Sequence, residues 1–144
     1  MYPRTYLGRR FDDLGFDRSS FVEHHRNADR ESGGIEPDWA IELNDQSLRF
    51  LLSEDRLVTT VFVCSPALAS GLLERATADV TISDLIAIRG QPGKRGEESV
   101  SPITRKRTGA WFRYDMPDCV EHYQFAVGGR GIQLITLMNH NSAP

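Results

Sequence analysis

The chain has 144 residues, 40% of them hydrophobic and 26% charged, with a formal net charge of −3, the balance expected of one soluble globular domain with its own core. No apolar run approaches the ~20 residues of a membrane helix. The N-terminal stretch Met1-Tyr2-Pro3-Arg4-Thr5-Tyr6-Leu7-Gly8-Arg9-Arg10 lacks the apolar run of a signal peptide, so neither membrane nor export is expected.

The first cysteine is Cys64, which excludes lipidation at a near-terminal cysteine and points to a cytoplasmic protein. Cys64 and Cys119 stand far from any CxxC spacing. In that compartment they read as free thiols at strand ends, with a disulfide between them as the alternative. Charge is unevenly spread: residues 1–75 hold 13 acids and 9 bases, residues 76–144 hold 7 acids and 8 bases. Asp29, Glu31, Glu36, Asp38, Glu42 and Asp45 form a compact acidic stretch opposed only by Arg30. Phosphate binding needs a basic face, so nucleic acid is not the expected partner. A basic protein surface is compatible, and a solvated surface is the ordinary alternative.

In chain order, residues 1–30 read as helical or irregular, with a short capped helix through Phe21-Val22. Residues 31–37, rich in Gly and ending in Pro37, read as a loop. Strands are expected at Trp39–Leu43, Leu48–Leu52 and Leu57–Cys64, from their alternation and β-branched content. Pro66 ends the third strand, and Ala67–Leu73 reads as a short helix or connector. Asp79–Ile88 is the clearest helix, with Thr81 or Ser83 as its cap and Leu85, Ile86 and Ile88 facing the core. Gly90 and Pro92 stop it, and a long loop follows to Gly109. Three more strands are expected at Ala110–Asp115, Val120–Val127 and Gly131–Met138, with Gly128-Gly129 as a hairpin signal.

The chain reads as one pattern written twice. Gly15 to Gly90 and Phe50 to Phe125 each span 75 residues, Arg56 to Arg130 spans 74, and Trp39 to Trp111 spans 72. The expected fold is α+β: one domain, 1–144, of two tandem units, about 1–66 and 67–144. Each unit is a helix followed by a three-stranded antiparallel meander. Together they form a sheet of about six strands with helices on one face and the other face wet.

Motifs for chemistry are sparse. His24-His25 lacks the i, i+4 spacing that puts two ligands on one helix face, and no HExxH is present, so no metal is expected. The run Arg89-Gly90-Gln91-Pro92-Gly93-Lys94-Arg95-Gly96 follows a helix and ends in no Lys-Ser or Lys-Thr pair, so a phosphate loop is not expected. No GxSxG elbow occurs, and Arg105-Lys106-Arg107 reads as a solvated loop. Alternation in Val120–Phe125 puts Glu121, Tyr123 and Phe125 on the buried side and His122 on the open side. With Arg113 or Tyr114 beside it, His122 is the candidate for an acid–base or ligand-binding cleft.

The segment Val80–Met138 resembles a recurring unit. A short helix ends in Ile88-Arg89-Gly90-Gln91-Pro92. A strand with Trp111 and Tyr114 follows, and a hairpin from Phe125 to Met138 closes it. That unit is similar to the repeats of β-lactamase-inhibitor-protein-like domains and of BamE/SmpA lipoproteins. The doubled version resembles immunity proteins encoded beside bacteriocins and other interbacterial toxins. The first half matches loosely, since Leu14-Gly15-Phe16 lacks the proline. BamE-type proteins carry a signal peptide and a lipidated cysteine, and the β-lactamase inhibitor is exported and disulfide-bonded. A cytoplasmic immunity protein needs neither.

The resemblance implies a non-enzymatic inhibitor without cofactor that occludes the active site of a cognate toxin, such as a basic nuclease. Its partner-binding residues are then expected at Asp29, Glu31, Glu36, Asp38, Glu42 and Asp45, with Trp39 as aromatic anchor. A small enzyme or ligand-binding domain around His122, and an adaptor whose exposed strand pairs with another subunit, are the alternatives.

Overall fold

The computed structural model describes residues 3–25 and 39–142. The chain is α+β: a large antiparallel sheet with two helices. Two short 3-10 turns, Pro3–Tyr6 and Phe11–Leu14, open it, and a third, Arg18–Ser20, leads into β1 (Phe21–His25). Then come β2 (Trp39–Leu43), β3 (Leu48–Leu52), β4 (Val58–Val63), α1 (Pro66–Leu73) and α2 (Ile82–Arg89). The rest is β5 (Lys94–Gly96), β6 (Ser99–Val100), β7 (Arg107–Thr108), β8 (Trp111–Asp115), β9 (Val120–Phe125) and β10 (Ile132–Met138).

Eight strands form the main sheet in the order β1-β2-β3-β4-β10-β9-β8-β5, and β6 and β7 make a separate hairpin. All six strands expected from the sequence are present. The sheet exceeds that count of about six because β1 and β5 extend its two edges. Residues 21–25 were expected to include a short helix, but all five pair with β2, from Phe21 opposite Leu43 to His25 opposite Trp39. Lys94–Gly96, expected as loop, pairs with β8. Partner backbones, rather than local propensity, decide both edges.

Each helix has a legible start. Ser65 caps α1 by accepting from Leu68 N, with Pro66 in the first turn. Thr81 forms a capping box with Asp84: Asp84 N donates to Thr81 Oγ1 at 3.2 Å, and Thr81 N donates to Asp84 Oδ2 at 3.0 Å. These bonds hold the Asp84 carboxyl below its ordinary value. Gly131, at φ 88°, sits where a Cβ would come 2.9 Å from Ala78 O. That position ties the β9–β10 turn to the start of α2, and only glycine fits it.

Among the described residues, the core cluster lies on one face of the sheet. Cross-strand partners Ile41, Phe50, Val61, Leu137 and their neighbours Ile135, Tyr123 and Phe112 share that face. They join Ala69 and Leu73 of α1, Leu85 of α2, and Phe11 in one core cluster. The opposite face adds nothing to that cluster, although Thr60, Val120, Thr136 and Met138 on it are buried. No helix among the described residues is long and apolar enough to cross a membrane.

Candidate functional sites: the sheet face opposite the core and a charged cleft

The face opposite the core carries Glu42, Arg49, Phe62, Thr136, His122, Arg113 and Trp111, by the alternation of β2, β3, β4, β10, β9 and β8. Arg49 lies over the Phe62 ring at 5.4 Å. Trp111 stacks on His122 with ring centroids 5.2 Å apart and planes at 21°. Gly96 makes room for this indole: a Cβ there would meet Trp111 Nε1 at 2.0 Å. Burial and the nearby Arg113 guanidinium lower the His122 pKa, keeping the ring neutral at pH 7. Beside this end of the sheet, Lys106, Arg107, Gln124 and Gln133 help line a groove of about 330 Å³.

The sequence-expected residues are not brought to one place. Asp29, Glu31, Glu36 and Asp38 lie outside the described residues. Glu42 is exposed on the open face. Asp45 sits in the β2–β3 turn, where Oδ1 accepts from Ser47 N at 2.9 Å and Ser47 Oγ at 2.6 Å. Those bonds lower its pKa. Trp39 has the opposite parity to Glu42 and lies on the packed side. It is held between His25, 4.2 Å between centroids, and Arg56, 4.5 Å from its ring. The His122, Arg113 and Tyr114 group is also split. Tyr114 faces the core and donates to Gly90 O at 3.0 Å. His24 and His25 alternate across β1, and no group of three or more His, Cys, Asp or Glu among the described residues is placed to hold a metal. Cys64 and Cys119 are both free.

A site that sequence reasoning missed lies on the packed side. Glu121 is fully buried. Its Oε1 accepts from Arg89 Nε at 3.1 Å and from Tyr123 Oη at 2.7 Å, and its Oε2 takes Arg4 Nη2. Arg89 Nη2 also donates to Leu72 O at 3.1 Å, satisfying a carbonyl of the last turn of α1. Burial and the Glu121 charge push the Tyr123 phenol up. Above this network opens a cleft of about 470 Å³ lined by Arg4, Thr5, Gly71, Leu72, Leu73, Glu74, Ile88 and Arg89. One sequence signal pointed here: Glu121 shares its buried parity with Tyr123 and Phe125, and a charge at such a position demands partners.

No family model matches the chain, and no curated protein matches it. A solved structure, a DUF4309 family protein (YjgB) from Bacillus subtilis, is similar over 92% of this chain and 72% of its own, with 14% identity and a TM-score of 0.43. Similarity that distant carries no argument here.

Proposed function

We propose that the chain is a cytoplasmic, non-enzymatic immunity or inhibitor protein that neutralises a cognate toxin by laying the open sheet face over its active site. The observation that carries this reading is the mix of aromatic and charged side chains on the sheet face opposite the core. It presents Trp111, His122 and Phe62 half-buried among charged neighbours. That mixture of aromatic anchors and polar rim suits a protein interface. Glu42 lies on this face, and the acidic residues 29–38 precede its strand, which favours a basic partner such as a nuclease.

The reading includes two copies of one unit. In its support, the meanders β2-β3-β4 and β10-β9-β8 meet back to back at β4 and β10, each flanked by one short edge strand. Trp39 and Trp111 open corresponding strands but face opposite sides, so the units have diverged in what they present.

The test is co-expression with the toxin encoded beside the gene, followed by purification of the complex. A stable one-to-one complex that Trp111→Ala weakens by about 2 kcal/mol, roughly thirtyfold, is the expected result. Recovery of the chain alone, with the neighbour well expressed, overturns it.

A further inference from the structure

We propose that the cleft above Glu121 binds a small organic monocarboxylate with a short apolar body. The cleft lies on the helix side of the sheet, away from the docking face. Its volume of about 470 Å³ falls in the ~300–1,000 Å³ range of small-molecule sites. The charge at its base is unbalanced: two guanidiniums, Arg4 and Arg89, meet one carboxylate, Glu121.

Glu121 is fully buried and bonded through both oxygens, so it is a fixed counter-charge rather than a ligand contact. The two arginines line the cleft, with side chains 28% and 17% exposed. A guanidinium carries five N–H donors, more than the bonds to Glu121, Tyr123 and Leu72 O consume. Arg89 is held by three such bonds, which pre-orders it for a second anion. Glu74 lines the cleft as well but is exposed, where solvent screens its repulsion.

One excess positive charge matches a monoanion better than a phosphate dianion. A planar carboxylate also fits the guanidinium fork. Thr5, Gly71, Leu72, Leu73 and Ile88 form the rest of the wall, and its apolar part calls for a short apolar body behind the acid group.

The test is calorimetric titration of the full chain with 4-methylpentanoate and 4-phenylbutanoate, each beside its primary amide, with methyl NMR to locate binding. Saturable one-to-one binding is expected, with shifts at Leu72 and Ile88. The acid should bind about tenfold or more tightly than the amide, and Arg4→Gln should erase most of that preference. Equal affinity of acid and amide, absence of saturation, or shifts confined to other surfaces overturns the proposal. Should Arg4→Gln fold poorly, the acid-to-amide ratio on the unaltered chain decides alone.

Discussion

Two charged clusters hold the N-terminal turns to the body of the protein, and they differ in which charge sits at the centre. At the first, a central guanidinium, Arg56, meets two carboxylates, Asp12 at 2.9 Å and Glu23 at 3.0 Å, which Arg10 and Arg18 also approach at 3.4 and 3.5 Å. At the second, one carboxylate, Glu121, meets the guanidiniums of Arg4 and Arg89. The solvation differs more than the geometry. Asp12 and Glu23 side chains are 45% and 22% exposed, whereas that of Glu121 is 1% exposed. Water can replace a lost partner on Asp12, but on neither Glu23 Oε2, which is shielded, nor Glu121. The buried cluster is therefore the one whose disruption the fold feels more, although its net worth against an apolar replacement is small.

The largest expected effect follows from removing Arg89. Arg89→Leu leaves a buried carboxylate short of a partner and should lower unfolding free energy by about 3–5 kcal/mol in urea titration. Adding Glu121→Met to that variant removes the stranded charge and should restore most of the loss. A double variant as unstable as the single one would show that packing, not charge, makes the site matter. Arg56→Leu should cost less, about 1–3 kcal/mol, for one solvated and one half-buried ion pair and one cation–π contact over Trp39. A loss as large as that of Arg89→Leu would break the contrast between the clusters.

Acid sharpens the same contrast. The hydrogen bond from Arg56 lowers the folded-state pKa of Asp12 below 3.8. Its stabilisation is therefore complete well above 3.8 and lost as pH falls through the lowered folded value. The stability gap between the unaltered chain and Asp12→Asn should shrink over that window in acid unfolding curves, and a gap that widens there would contradict the assignment. The smallest effect concerns the thiols. Burial raises Cys119 to about 11, and it is 1% exposed, while Cys64 is only half-buried. Iodoacetamide should label Cys64 first in the native protein and Cys119 only on unfolding, as read by mass spectrometry.

Much of the sheet was legible without coordinates. Alternation in Val120–Phe125 placed Glu121, Tyr123 and Phe125 inward and His122 outward, as the structure has them. Gly128 and Gly129 adopt the positive φ of the hairpin they signal, 102° and 77°, and Thr81 caps α2 as its sequence setting suggests. These features arise from neighbouring residues, whose steric and hydrogen-bond preferences act within a few positions. The edge strands were not legible. Glu23-His24-His25 and Lys94-Arg95-Gly96 carry no apolar alternation and are strands because β2 and β8 offer them backbone partners.

The anchor expected at Trp39 separated from Glu42 for the same reason that alternation works, since odd and even positions of β2 face opposite sides. The charged cleft depended on tertiary structure most of all. Glu121 meets Arg89 across 32 residues and Arg4 across 117, and no local pattern links them. The sequence by itself determined the six central strands and which way most of their residues point, because those choices are local. Which charges meet, and where the cleft opens between the first turn and the ends of both helices, was decided only when distant backbone segments packed on one face.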